Sequence, residues 1–444
     1  MPTERIAVLD EPHVSPPTQA LTPRTPGVSG GVPSGLLASN GVPTTTTAPT
    51  TLAAQSTPEP DGEIEPPKHG AKWTDKGSVS AFADAYAGVN MLMPSPATAN
   101  SLRAFDTNNG FSLHWAGIDA EYDGDVVGGA VSLRLGPSAT AYAGSDASIS
   151  LQYVKQAYAR WKPKSAKGRL SVDLGKFDTL YGAEVADSQY NFNYTRGTLN
   201  WLGQPFFHTG LRANVAASDR FAVAAIAVNG WNNTLDNNFG KSGGLQFSFS
   251  GARFNALLGY MVGAENDREA TFDCDADTSF DSATASCADT PGAEASATTV
   301  VARGVNRRLR HFADLVLAGD LTEKLSLVAN ADVGYDETIV NPVSGAYNQS
   351  IWYGASLGAR YALTPKFATA ARGEFYQDLD GFTTPVPLML GTGTMTFEFA
   401  PTDMLVLKVD SRYDHANEAV FAGRDAGTSS NQLTFTLGAV IRTP

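Results

Sequence analysis

Residues 432–442 read QLTFTLGAVIR, and the side chains split into two sets at every second position. Leu433, Phe435, Leu437, Ala439 and Ile441 share one face of an extended chain; Gln432, Thr434, Thr436 and Arg442 share the other. A period of two is that of a strand whose faces meet different surroundings. Leu405–Tyr413 repeats it, with Leu405, Leu407 and Val409 against Lys408, Asp410 and Arg412. In Lys324–Tyr335, Leu325, Leu327, Ala329, Ala331, Val333 and Tyr335 oppose Ser326, Asn330 and Asp332. In Leu390–Phe399, Met395, Phe397 and Phe399 oppose Thr394, Thr396 and Glu398. No long helical pattern competes.

Sixteen such segments follow Lys76: 76–91, 109–120, 126–136, 151–162, 169–178, 206–216, 220–230, 242–250, 253–263, 308–319, 324–335, 350–362, 366–377, 390–399, 404–413 and 432–442. The gaps between them alternate. Odd gaps are long, among them 92–108, 179–205, 264–307 and 336–349. Even gaps are tight turns such as YDGD (122–125), SDR (218–220), SGA (250–252), TPK (364–366) and PTD (401–403), with only PKSAKG (163–168) longer. Long loops on one side and short turns on the other predict an all-β, transmembrane, antiparallel up-and-down barrel. Its turns are periplasmic and its loops extracellular. Both termini then lie on the short-turn side, so the strand number is even: 16, with 14 or 18 as the neighbouring counts. A soluble propeller or pair of sandwiches needs neither this alternation of gaps nor an apolar face on every strand.

Composition agrees. The 444 residues carry a formal charge of −13, against the Lys/Arg clustering that nucleic acid requires. No stretch approaches 18 consecutive apolar residues, which excludes helical spans but not a barrel, whose lumen-facing residues keep the average neutral. Residues 1–70 hold 13 of the 25 prolines and a TTTT run, so 1–75 reads as a disordered Pro/Thr-rich segment ahead of a barrel over 76–444. No basic stretch followed by an apolar core is visible there, so no signal peptide is read. Cys274 and Cys287, 13 positions apart in one polar segment, are either a loop clasp of an oxidising compartment or two unrelated thiols.

Several stretches resemble the bacterial OmpL-like β-barrel porin family: RAFDTNNGFSL (103–113), VKQAYARW (154–161), LGKFDTLYGAE (174–184), NYTRG (193–197), QPFFHTGLRA (204–213) and NGWNNTLDNNFGKSGGLQ (229–246). The resemblance is dense over 76–263 and looser beyond. It implies a Gram-negative outer-membrane pore for small solutes. Two features depart from the family: the chain ends in IRTP rather than in an aromatic residue, and the Pro/Thr-rich leader is additional.

Candidate chemistry concentrates in the third long gap, 179–205, which carries Glu184, Asp187 and Arg196 among Tyr181, Tyr190 and Tyr194. By analogy with 16-stranded porins, this loop folds inward and constricts the lumen. Alternation places Arg134, Arg160, Arg212, Arg360, Arg372, Lys408 and Arg412 on the lumen face. Acids on one side and bases on the other would set a transverse field; the alternative is a loop that only covers the mouth. Asp273, Asp275, Asp277 and Asp281 lie at alternate positions, as in a calcium loop, yet Thr278 and Thr284 replace the Gly and Glu of an EF-hand, so a solvated acidic tip is preferred and no metal is assigned. The six histidines show no metal spacing, and no enzyme motif appears, so neither cofactor nor catalytic residue is assigned. Aromatic residues at strand ends (Trp161, Phe177, Phe206, Phe221, Tyr260, Tyr335, Tyr361, Phe399, Tyr413) predict two membrane girdles, with His311 and His415 among them. Trp231, in NGWNNTLDNN (229–238), is placed in the same belt, with Asn229, Asn232 and Asn237 as candidate solute contacts.

The resulting expectation is an outer-membrane porin passing small hydrophilic solutes and ions by passive diffusion. Membrane lipid and lipopolysaccharide are its surroundings, and a homo-oligomer, a trimer, its assembly. The competing reading is a surface protein whose loops, led by 264–307, bind a ligand or host while the barrel anchors them.

Overall fold

The computed structural model describes residues 76–95 and 100–443; the segment 1–75 read as disordered lies outside them. Sixteen strands close one antiparallel barrel in sequence order. They are β1 (Gly77–Asn90), β2 (Gly110–Asp123), β3 (Val127–Leu135), β4 (Val154–Trp161), β5 (Leu170–Asp178), β6 (Phe207–Ala216), β7 (Phe221–Val228), β8 (Ser242–Ser250), β9 (Phe254–Ala264), β10 (Leu309–Asp320), β11 (Leu325–Asn341), β12 (Ala346–Ala362), β13 (Phe367–Asp378), β14 (Leu388–Thr402), β15 (Leu405–Ala416) and β16 (Asn431–Arg442). β1 pairs with β16 in register, Phe82 opposite Arg442 and Asn90 opposite Thr434, so no edge is left open.

The alternation of the sequence is the alternation of the wall. In β16, Gln432, Thr434 and Thr436 are buried toward the lumen, while Phe435, Leu437 and Ile441 are exposed on the outside. The band of Leu174, Leu211, Phe247, Leu258, Leu357, Phe397 and Val409 continues that outer face around the barrel. In a bilayer this face meets acyl chains, and every strand's backbone is satisfied by its neighbours.

Two loops are more ordered than their sequence implies. The gap 336–349 is mostly strand: β11 and β12 stay paired from Asp336 opposite Ser350 to Asn341 opposite Ala346. Period-two patterning ends there because both faces meet water, but backbone pairing does not need an apolar face. The loop 264–307 forms two ribbons, Glu269–Cys274 with Ser296–Val301 and Thr278–Asp281 with Ser286–Asp289. Cys274 and Cys287 are joined by a disulfide that ties one ribbon to the other. Two of the four aspartates are bonded within their own loop. Asp281 accepts hydrogen bonds from Ala283 N and Thr284 Oγ1, and Asp277 from Gly292 N. No group of three or more metal-ligating side chains converges among the described residues.

Both aromatic girdles form, with two corrections. On the short-turn side Phe221, Phe249 and Phe254 neighbour one another, and Phe367 stacks on Phe399 at 4.6 Å. On the loop side Tyr260, His311 and Tyr335 lie together, and His415 Nδ1 meets Asn431 Oδ1 at 2.8 Å beside Tyr413. Phe177 and Phe206, however, are fully buried inside the barrel. Strand-end position alone does not say which face a ring takes.

A cationic residue on the outer face tests this orientation. Leu258 is 55% exposed, between Phe247 and Leu315 on neighbouring strands. Leu258→Lys is expected to cost about 2–4 kcal/mol, the scale for a charge near the bilayer midplane. Denaturant titration of the barrel folded in lipid vesicles measures it; an unchanged midpoint would contradict the lipid-facing assignment.

Candidate functional site

The loop between β5 and β6 leaves the wall at Asp178 and crosses the lumen before returning at Phe207. Its departure is fixed by polar contacts at the strand end: Tyr142 Oη donates to Asp178 Oδ1 at 2.7 Å, and Lys155 pairs with the same carboxylate. Its return is fixed by Asn232, whose Oδ1 accepts from Phe206 N at 2.5 Å and Phe207 N at 3.2 Å. Between these ends the chain cannot form strand hydrogen bonds, so its backbone groups must find partners on the wall.

They find them on strands all around the barrel. Asp410 on β15 accepts from Thr195 N and Thr195 Oγ1, each at 2.8 Å, and from Tyr194 N at 3.3 Å. Asp84 on β1 accepts from Tyr194 Oη at 2.8 Å and Ser188 Oγ at 2.5 Å. Glu374 on β13 receives Thr198 N and Leu199 N. Gln204 Nε2 donates to Asn330 and Asp332 on β11. Trp352 on β12 donates its indole N–H to Gly203 O at 3.1 Å. At two points the approach demands glycine: a Cβ on Gly197 would fall 2.1 Å from Glu374, and one on Gly438 about 2.0 Å from the Tyr194 ring.

The candidate charges of the loop clamp it. Asp187 takes two hydrogen bonds from Arg134, Nε and Nη2, both at 3.0 Å, and Lys155 lies 3.5 Å away. Glu184 accepts from Arg372 Nη1 at 2.5 Å and from Gly197 N at 2.6 Å. Lys408 donates to the carbonyls of Ser188 and Asn191, and Arg412 to Arg196 O at 2.6 Å and Thr198 Oγ1 at 3.0 Å. Arg196 is buried against His114 and Phe105 rather than facing open water.

The remaining bases are paired along the wall. Arg160 and Arg212 both bind Asp173 on the strand between them, through Nε at 2.7 and 2.9 Å. Arg360 pairs with Glu398, as does Lys408 at 3.8 Å. The expected transverse field is therefore not the arrangement found. Acids and bases alternate as local pairs, because burying a guanidinium is costly unless it is paired; Arg196 instead meets His114 and the Tyr194 carbonyl. The wall acids that complete the pairs, with Asp84, Asp410 and Lys155, were not singled out from sequence. The signal was present, since each lies on the lumen parity of its strand.

Above the loop the lumen holds an apolar core. Phe105, Trp115, Tyr142, Trp201, Phe206 and Trp352 belong to one buried cluster inside the barrel. Trp231 joins it rather than the membrane belt, edge-on to Phe312 at 5.2 Å and to Trp352 at 6.2 Å. The asparagines around it are engaged by the protein: Asn229 Nδ2 donates to Thr234 O, and Asn237 Nδ2 to Asp267. Below the loop, half-exposed Asp119, Glu121, Tyr158, Ser171, Asn214 and Ser248 line a polar bowl on the short-turn side.

A family model described as beta-barrel porin-2, OmpL-like, matches residues 76–442. The chain belongs to this porin family. No curated protein matches it. Among solved structures it resembles the outer-membrane-expressed OmpT of Vibrio cholerae (11% identity, 83% of this chain and 98% of that one, TM-score 0.50). It also resembles the outer-membrane channel DcaP of Acinetobacter baumannii (11% identity, 83% of this chain and 97% of that one, TM-score 0.51). At such identities the likeness is one of fold. The protein is an outer-membrane β-barrel porin for passive diffusion.

The two loop carboxylates respond differently to acid. Burial raises Glu184 above the ordinary glutamate value, more than Arg372 opposite lowers it, and Glu374 adds to the rise. Burial works the same way on Asp187, but Arg134 and Lys155 outweigh it and hold the carboxyl well below its usual range. Acidification thus neutralises Glu184 more readily than an ordinary glutamate, while Asp187 keeps its charge below the usual aspartate range. A depressed carboxylate stabilises the fold above its unfolded value and loses that contribution only as pH falls through the folded value. Glu184→Gln is expected to shrink the change in single-channel conductance between pH 7 and 4.5. Asp187→Asn should leave that change in place and destabilise the barrel on the order of 3 kcal/mol, since Arg134 then lies buried with Asp119 alone. Equal pH responses in the two variants would refute the ordering.

Proposed function

We propose that solutes and ions pass between loop 179–205 and the wall, and that this loop sets which of them pass. The observation that carries the reading is its lateral clamping by Arg134, Arg372, Lys408 and Arg412, with Glu184 and Asp187 on the loop. Fixed polar pairs in a narrow lumen replace part of a solute's hydration shell, which suits small hydrophilic solutes. The lumen acids Asp84, Asp314, Asp332 and Asp410 stand beside the paired charges and support a modest cation preference. A channel, not an enzyme, is the reading the family favours. In planar bilayers, Glu184→Gln with Asp187→Asn is expected to alter conductance and to move the reversal potential in asymmetric KCl toward anions. If both stay at wild-type values, the loop does not govern passage.

The competing reading, a surface-binding protein anchored by its barrel, draws on the disulfide-tied ribbons of 264–307. Liposome swelling with small sugars separates the two, since an anchor alone gives no permeability.

Self-association belongs to the same proposal. β4 and β7 have only eight residues each, whereas β11 and β12 have 17. Eight residues span about 26 Å along the strand and roughly 20 Å in height at barrel tilt, short of the ~25 Å apolar band. Packing this low side, β3–β7, against copies of itself removes the mismatch, and three copies around an axis is the form expected. Native mass spectrometry in detergent checks it: a monomer at every protein concentration would rule it out.

A further inference from the structure

One side chain of the loop 179–205 takes no part in holding it. Tyr190 is 50% exposed, while every other residue of that segment is buried or half-buried. Of the other two loop tyrosines, Tyr194 donates its hydroxyl to Asp84 at 2.8 Å and Tyr181 to Tyr260 O at 3.1 Å. The Tyr190 hydroxyl has no hydrogen bond among the described residues, and its ring stacks on no other. Packing within the chain does not account for a ring left open in a lumen where Phe105, Trp115, Trp201 and Phe206 are all buried.

The backbone that carries the ring is fixed. Tyr190 ends the 3-10 turn Ser188–Tyr190, and its N–H returns to Asp187 O at 3.2 Å. Lys408 on β15 holds carbonyls on either side of it, Ser188 O at 3.1 Å and Asn191 O. Ser188 Oγ donates to Asp84, and Asn191 Nδ2 to Val185 O at 2.6 Å. The charges that act on the Tyr190 hydroxyl are those of Asp187, Asp119, Arg442 and Arg134. Asp119 stands opposite Ser80 and Arg442 opposite Phe82, both on the short-turn half of β1. The ring therefore hangs beneath the loop and faces the polar bowl.

The groups of the bowl narrow what the ring can receive. Arg134 is matched by Asp187 and Asp119, and Arg160 and Arg212 by Asp173, which disfavours an anionic solute. Arg134 and Arg442, both acting on the Tyr190 hydroxyl, disfavour a cationic one over its ring. The groups left open are the Tyr190 hydroxyl, the Asn214 carbonyl, whose amide donates to Ser171, and the half-exposed Glu121 carboxylate. A flat ring beside hydroxyl, amide and carboxylate fits a solute with one apolar face and a rim of hydroxyls. A pyranose sugar has that shape: its axial C–H groups make a face apolar, and its equatorial hydroxyls bond outward.

We propose that Tyr190 is the platform of a saccharide subsite on the short-turn side of the loop, its ring covering the apolar face of a pyranose in transit. The proposal rests on passage between loop and wall, and names a class of solute for it. The test uses the full chain in planar bilayers, with maltose as the probe and the linear polyol sorbitol, matched for viscosity, as the control. Maltose should lower the single-channel ion current saturably, and sorbitol only in proportion to viscosity. Tyr190→Ala should raise the maltose half-saturation concentration about fivefold to tenfold, the scale of one lost ring contact. Tyr190→Phe, which keeps the ring, should stay within about twofold of wild type. A current that falls with maltose no more than with sorbitol overturns the subsite without recourse to any variant. So does an alanine variant that saturates at the wild-type concentration, or a phenylalanine variant that loses as much as alanine. Channels that conduct no ions even without sugar would overturn passage itself, and the subsite with it.

Discussion

A peptide segment inside a membrane barrel survives only if its backbone polar groups are bonded, and here the wall supplies those bonds. Asp410 alone receives two N–H groups and a hydroxyl from Tyr194 and Thr195. Arg372 holds a loop carboxylate and the Thr195 carbonyl with one nitrogen, at 2.5 and 2.7 Å. Lys408 and Arg412 take further carbonyls on the same side. Remove this set and the loop has no reason to lie across the lumen, the apolar cluster above it has no floor, and the polar bowl below has no ceiling. The charges on the inner wall are therefore structural: they clamp the loop.

The interior is inverted twice. A barrel in lipid turns its apolar residues outward, so Leu and Phe at alternate positions do not build a core. The core lies instead inside the polar lumen, supplied by loops: Phe105 from the loop after β1, Tyr142 from the short helix Pro137–Ala143, and Trp201 and Phe206 from 179–205. Their burial holds the extracellular half of the lumen together, while the lower half stays polar and half-exposed.

How much of this could be read in the chain follows from which forces are local. Strand count, order and facing depend on alternation and turn length, both local, and QLTFTLGAVIR reads in the barrel as it reads on the page. The lumen bases Arg134, Arg372 and Arg412 were legible by parity for the same reason. Which loop groups they meet was not, because Arg134 meets Asp187 across 53 positions of sequence and Arg372 meets Glu184 across 188. Trp231 was misplaced because strand-end position separates membrane level from loop but not inside from outside. The hairpin beyond Asp336 was missed because a strand in water has no faces to contrast.

The reach of the loop has a temporal consequence. Its partners stand on β1, β11, β13 and β15, and Tyr194 packs against Gly438 on the last strand. Residues 179–205 are made early in the chain but cannot be seated until β1 has met β16. Closure of the wall and seating of the loop thus draw on the same long-range contacts, of the kind that slows folding.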